Sequence, residues 1–126
     1  MKKWLPDFKF MGKSVHVDFP HIFSDGDKKT QGLADPDASE IKIGLYLSDG
    51  RKMPWEKVLH TIFHEMSHMA DEVTRQETWT DDDIAVDAAK ENALDAFWSV
   101  MLAWMLENHL LNPLFLERVK KAVKET

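Results

Sequence analysis

The chain has 126 residues, a hydrophobic fraction of 44% and a charged fraction of 30%, which predict one soluble domain with a single hydrophobic core over residues 1–126. The formal net charge of −6 argues against nucleic acid as a partner, and the absence of cysteine excludes disulfides and thiolate metal ligands. No stretch of about 18 apolar residues could span a membrane, and no apolar segment follows the basic N-terminus as in a signal peptide, so we expect a cytoplasmic protein without membrane contact.

The first part of the chain, residues 1–53, holds short β-like runs. Residues 14–19 alternate polar and apolar side chains, as a half-buried strand does, and residues 31–34 are a candidate short strand. A loop rich in Asp, Gly and Lys is predicted over residues 24–30. Residues 40–47 alternate again and place four apolar side chains on one face: Ile41, Ile43, Leu45 and Leu47.

The second part, residues 54–126, is predicted to be helical. A first helix begins at Pro54 and carries an apolar face to about residue 75. Thr80 is the predicted N-cap of a long second helix over about residues 83–108, because three aspartates follow it where the helix dipole favours negative charge. Asn112 and the proline after it predict the start of a last helix that ends near Lys124.

The first predicted helix contains the segment His64-Glu65-Met66-Ser67-His68. Residues four apart on a helix lie on one face, so two imidazoles at this spacing can bind one zinc ion, with Zn–N distances of about 2.0–2.1 Å. Glu65 lies beside His64, where it can hold a water molecule and accept its proton. The spacing therefore predicts a zinc site of the His-Glu-x-x-His type.

A catalytic zinc ion needs a third protein ligand and one open position. No histidine follows shortly after the motif, since the only one downstream is His109. A carboxylate on the second helix is the alternative, and Glu91 lies near the middle of that helix, where two antiparallel helices could bring it beside the motif. Three aspartates stay open as alternatives: Asp71, Asp87 and Asp95.

The segment Glu91-Asn92-Ala93-Leu94-Asp95 resembles the Glu-x-x-x-Asp element of gluzincin metallopeptidases. That resemblance implies that Glu91 is the third zinc ligand and that Asp95 orients a ligand histidine, His64. Over roughly residues 30–113 the chain resembles the small ImmA/IrrE-type metallopeptidases of bacteria and their phages, although it lacks the accessory sensor or DNA-binding domain of larger members. The resemblance implies an α+β fold in which a small, mostly antiparallel N-terminal sheet packs on a zincin helix pair, with a C-terminal helix.

The function expected from these features is zinc-dependent hydrolysis of peptide bonds, with Glu65 as general base on a zinc-activated water. The resemblance implies a protein or peptide substrate, often a regulatory protein such as a transcriptional repressor. We expect an extended substrate along an edge strand, for which residues 40–47 are the candidate, and an oxyanion stabiliser chosen from Tyr46 and His109. The alternative is a zinc-binding, non-catalytic interaction protein of a phage or bacterium.

Overall fold

A computed structural model describes residues 3–23 and 31–126 of the chain, so the loop predicted over residues 24–30 lies outside the described residues. Within the described residues the fold is α+β, as expected. Its elements in chain order are strands β1 (Phe8–Phe10), β2 (Lys13–His21), β3 (Gly32–Asp35) and β4 (Glu40–Gly44), followed by helices α1 (Trp55–Thr74), α2 (Ile84–Glu107) and α3 (Pro113–Glu125). In residues 3–23 and 31–126, no helix has both the length and the apolar character that crossing a bilayer requires.

The strands form one mixed sheet in the order β1-β2-β4-β3. The β1–β2 and β3–β4 pairs are antiparallel, whereas β2 and β4 run parallel. The alternating patterns of β2 and β4 supply the core side of the sheet, where Val17 is 2% exposed and Ile41 and Ile43 are fully buried. Strand β1 was not predicted, because a run as short as Phe8–Phe10 has too few residues to show a period of two.

The strand predicted over residues 40–47 is shorter than expected, and its predicted position at the sheet edge is wrong. It ends at Gly44, and Tyr46 forms only an isolated bridge with Lys52. Strand β4 lies in the sheet interior, with β2 on one side and β3 on the other. The edge next to α1 is β3. The alternating pattern could not reveal this, because it reports which face of a strand is buried and not which strands flank it.

Helix α1 is the central helix, since it contacts β3, β4, α2 and α3. Its buried apolar residues recur at helical spacing, as predicted, and include Val58, Leu59 and Ile62. The helix ends where Arg75 adopts a left-handed conformation and its backbone N–H donates to the carbonyl of Asp71.

The predicted cap of the second helix is wrong by three residues. Asp83 is the N-cap of α2, and its side chain accepts hydrogen bonds from the N–H groups of Ala85 and Val86. Several consecutive residues from Thr80 onward are good N-caps, so residue preference alone could not select the one that starts the helix. The start of α3 agrees with the prediction, because Asn112 caps it by accepting from the N–H of Leu114.

Candidate metal centre

Helix α1 brings His64, Glu65 and His68 to the side of the sheet edge formed by β3. His64 and His68 lie one helical turn apart, and their Nε2 atoms approach to 3.3 Å. Two ligands placed about 2.05 Å from an ion at a tetrahedral angle are separated by about 3.3 Å. The two imidazoles are therefore already spaced as a tetrahedral zinc site requires.

Helix α2 contributes the carboxylate of Glu91. One oxygen lies 2.8 Å from Nε2 of His64 and the other 2.6 Å from Nε2 of His68. The ligand atoms of these three residues all lie within 4.8 Å of one another. Two imidazole nitrogens and one carboxylate oxygen are the donor set of catalytic zinc sites with an open fourth position, so the residues present fit a zinc ion.

The Nδ1 atom of each histidine, on the far side of the ring, has its own hydrogen-bond partner. A carboxylate oxygen of Asp95 lies 2.8 Å from Nδ1 of His64, and the hydroxyl of Thr80 lies 2.7 Å from Nδ1 of His68. A carboxylate only accepts, so Asp95 favours a proton on Nδ1 of His64 and leaves its Nε2 free to bind a metal. The Thr80 hydroxyl can accept or donate, so it orients the ring of His68. The structure thus places Asp95 where the resemblance implied. Thr80 was missed as a site residue, because a hydroxyl between two helices carries no signal in the sequence beyond a helix cap.

Glu65 is buried beside these groups, with 7% of its surface exposed. Its carboxylate lies 4.0 Å from Nε2 of His64 and accepts a hydrogen bond from the backbone N–H of Ala34 on β3. Burial raises the pKa of Glu65, although the nearby His64 and His68 oppose the shift. A buried carboxylate with a raised pKa beside two imidazoles is suited to accept a proton from water and release it again.

Electrostatic coupling ties Glu91 to the two histidines. Hydrogen bonds from His64 and His68 lower the pKa of Glu91 to about 2. Burial lowers the pKa of each histidine, but the hydrogen bond to Glu91 and the neighbouring carboxylates outweigh burial, so the net pKa shift of both is upward. These contacts therefore favour an ionised Glu91 and protonated imidazoles at His64 and His68.

A cleft of about 400 Å³ opens onto this cluster. Besides His64, Glu65, Glu91 and Asp95, its lining among the described residues comprises Gln31, Gly32, Lys57, His60 and Thr61.

The structure places neither predicted oxyanion stabiliser in the lining of this cleft. Tyr46 is 60% exposed and lines a separate cavity beyond the end of β4. His109 lies just after the end of α2, in a left-handed backbone conformation. The structure therefore brings neither residue to this cleft, and the oxyanion stabiliser stays without a candidate from the sequence.

The other candidate carboxylates have different partners. Asp71 accepts hydrogen bonds from the backbone N–H groups of Thr78 and Trp79, and Asp87 accepts one from the N–H of Asp81. Both aspartates stabilise the segment that joins α1 to α2. Among the four carboxylates considered from the sequence, Glu91 is the one whose oxygens meet both Nε2 atoms.

Comparisons of this chain with models of known protein families, with curated proteins and with solved structures find no match. Function is therefore inferred from the geometry and chemistry of the site.

Proposed function

We propose that this chain is a zinc-dependent metallopeptidase related to the ImmA/IrrE-type enzymes, with a zincin helix pair formed by α1 and α2. One observation carries the proposal: both oxygens of Glu91 meet the Nε2 atoms of His64 and His68, with Glu65 buried next to them. A His-Glu-x-x-His sequence that occurs by chance on a helix surface is not expected to have a carboxylate from a second helix in contact with the Nε2 atoms of both histidines. We propose a protein substrate, with a regulatory protein such as a repressor as the leading candidate.

In this proposal His64, His68 and Glu91 hold the zinc ion. The bound ion supplies Lewis acidity, which lowers the pKa of a coordinated water to about 7 and polarises the scissile carbonyl. Asp95 holds a proton on Nδ1 of His64 and so keeps Nε2 available as a ligand. Glu65 accepts the proton of the attacking water on a carboxylate oxygen and passes it to the leaving amine. Because its pKa is raised, the Glu65 carboxylate accepts a proton more readily near neutral pH than an exposed glutamate does.

The outer edge of β3, the end strand of the sheet among the described residues, is the proposed binding edge for an extended peptide, in place of the residues 40–47 predicted from the sequence. Strand β3 lies at one end of the sheet order, and Gln31 and Gly32 line the cleft above Glu65. A position for a Cβ atom on Gly32 would lie only 3.1 Å from Cγ of Glu65, so this edge runs directly beside the proposed general base. An added strand there would place a peptide carbonyl near the site through main-chain hydrogen bonds.

The second candidate function is that of a zinc-binding interaction protein without catalysis. The observation that favours it is the apolar outer surface of α2, where Val100 is 70% and Trp104 52% exposed. Apolar side chains grouped on one helix surface are typical of protein contacts. The two functions differ in what they require of Glu65, because a site that only binds metal has no use for a general base.

The test is hydrolysis of a peptide library by the zinc-loaded protein, compared with its Glu65→Gln variant. We expect Glu65→Gln to bind zinc as the wild type does but to cleave about 10²–10⁴-fold more slowly. Glu56→Gln is the matched control, since it makes the same change at an exposed position in the first turn of α1 and is expected to leave cleavage unchanged. Equal cleavage by the wild type and Glu65→Gln, or no cleavage by a fully zinc-loaded wild type, would refute the enzymatic function and leave the interaction protein.

A further inference from the structure

We propose that Thr80 is a positioning residue for His68, and that Asp71 sets Thr80 in place by anchoring the segment between α1 and α2. The inference rests on the proposed function in one respect, namely that His68 binds a zinc ion through Nε2. It assigns a role to two residues that are absent from the proposed set of ligands and the general base.

The two ring nitrogens of His68 face different partners. Its Nε2 atom lies 2.6 Å from the carboxylate of Glu91, and its Nδ1 atom lies 2.7 Å from the hydroxyl oxygen of Thr80. An imidazole that binds a cation through Nε2 must carry its proton on Nδ1. That Nδ1–H then donates to the Thr80 hydroxyl, which fixes the rotation of the ring about its Cβ–Cγ bond.

Thr80 has no competing role in the part of the chain that the structure describes. The capping position of α2 belongs to Asp83, whose carboxylate accepts from the first N–H groups of that helix. The bond to His68 is the hydrogen bond that the Thr80 side chain makes among the described residues. Among residues 3–23 and 31–126, the contact with His68 is therefore what explains the Thr80 hydroxyl.

Asp71 holds the backbone just before Thr80. Its two carboxylate oxygens accept from the N–H of Thr78 at 3.0 Å and from the N–H of Trp79 at 2.6 Å. Asp71 is only 7% exposed and lies on α1 less than one turn after His68. The same turn of α1 therefore carries both the ligand histidine and the carboxylate that fixes the position of its partner.

The segment is also tied to α2. The ammonium group of Lys90 donates to the carbonyl of Glu77 at 2.7 Å and contacts the carboxylate of Asp81 at 3.2 Å. Thr80 lies between these two attachments, so its backbone is held from both helices. A connection fastened at both ends loses less conformational entropy when its hydroxyl engages His68 than a free loop would.

The size of the effect follows from the chemistry of the partner. Loss of a group that hydrogen-bonds to a ligand histidine weakens metal binding by about 10–100-fold. Thr80 offers a neutral hydroxyl at an exposed position, whereas His64 has the carboxylate of Asp95 as its partner. A neutral, solvated acceptor belongs at the lower end of that range, so we expect a loss of about tenfold for Thr80→Val.

The experiment measures the zinc dissociation constant by competition with a chelator of known affinity. We expect Thr80→Val to raise the Kd about tenfold and Thr80→Ser, which keeps the hydroxyl, to retain the wild-type Kd. Thr78→Val is the matched control, because it makes the same change two residues earlier, where the hydroxyl forms no hydrogen bond in the described residues. In NMR spectra of the zinc-loaded protein, the Nδ1–H proton of His68 should be visible in the wild type and Thr80→Ser and be lost to exchange in Thr80→Val.

A double variant tests whether Asp71 acts through Thr80. Asp71→Asn should raise the zinc Kd, and adding it to Thr80→Val should cause little further loss, because both changes remove the same contact. Circular dichroism checks that each variant folds. If Asp71→Asn does not fold, the comparison of Thr80→Val with the wild type tests the inference by itself. If the wild type binds zinc, His64→Ala abolishes binding and Thr80→Val binds as tightly as the wild type, this inference is overturned while the proposed function stands. If the wild type takes up no zinc, both fail.

Discussion

Replacing Gly32 by alanine tests how tightly the sheet edge packs on the proposed catalytic helix. A Cβ atom at this position would lie 2.5 Å from Cγ2 of Thr61 and 3.1 Å from Cγ of Glu65. Thr61 cannot easily turn away, because it is 5% exposed and its hydroxyl donates to the carbonyl of Lys57 at 2.8 Å. The φ angle of Gly32 lies outside the left-handed region, so the strain comes from crowding alone.

The expected cost is a difference between two effects. Adding a methyl group to a closely packed site costs about 1–3 kcal/mol, and replacing glycine by alanine recovers about 0.4–1 kcal/mol by restricting the unfolded chain. The 2.5 Å approach to Thr61 puts the packing cost in the upper part of its range, about 2–3 kcal/mol, so the net loss in the free energy of unfolding for Gly32→Ala is about 1–2.6 kcal/mol. For a domain of this size, that corresponds to a fall in Tm of roughly 3–10 °C.

Thermal unfolding followed by circular dichroism measures this change, with Thr61→Ser as the partner variant. Thr61→Ser removes the Cγ2 atom that the new methyl group would meet and keeps the hydroxyl. We expect the Gly32→Ala loss to be smaller in the Thr61→Ser background, with a coupling of about 0.5 kcal/mol or more. A Gly32→Ala protein as stable as the wild type, or a loss unaffected by Thr61→Ser, would show that β3 does not pack on α1 in this way.

Three further predictions concern the ion site and its support. Glu91→Gln should weaken zinc binding by more than about 100-fold, which exceeds the loss expected when only a hydrogen-bonding partner of a ligand is removed. Glu107→Gln makes the same change at an exposed position of the same helix and should leave zinc binding unchanged. Zinc binds neutral imidazole, and the pKa values of His64 and His68 are both raised above the ordinary 6.5. The zinc Kd should therefore already rise as the pH falls from 8 towards 6.5, and a Kd independent of pH over that range would contradict the coupling to Glu91. Trp98→Phe removes an indole N–H that donates to the hydroxyl of Ser67 at 2.8 Å, so the free energy of unfolding should fall by about 1 kcal/mol. Calorimetry measures this fall, and metal titration should show an unchanged zinc affinity.

Helical periodicity allowed the helical half of the fold to be predicted closely. The apolar spacing from Val58 onward locates α1, and Asn112 with its following proline locates the start of α3. These signals are local, because a helix makes its backbone hydrogen bonds within itself and needs only one apolar face to be buried. The N-cap of α2 was predicted three residues too early, because Thr80 and the aspartates after it are all good capping residues.

The arrangement of the sheet could not be predicted from the same local signals. Alternation identifies β2 and β4 as strands, but it does not say that they pair in parallel or that β3 takes the edge beside α1. Strand order depends on contacts between residues far apart in the chain. For that reason residues 40–47 were wrongly predicted to form an edge of the sheet.

The local features of the candidate site could be predicted, and those that depend on distant contacts could not. The spacing of His64 and His68 is a local property of one helix, so the sequence predicts it directly. The roles of Glu91 and Asp95 were predicted because their segment resembles a known motif. The contact between His68 and Thr80 depends on how the segment between α1 and α2 folds back, which Asp71 controls through two backbone N–H groups. No pattern of residue types in that segment specifies such a contact.

The position of a bound zinc ion tests the central claim most directly. Anomalous diffraction from a crystal of the zinc-loaded protein would locate the ion. We predict one ion coordinated by Nε2 of His64, Nε2 of His68 and the carboxylate of Glu91, with Glu65 close by but not bound. Zinc at another place on the chain, or a cluster in which Glu91 still bridges the two histidines in the presence of excess zinc, would contradict the account.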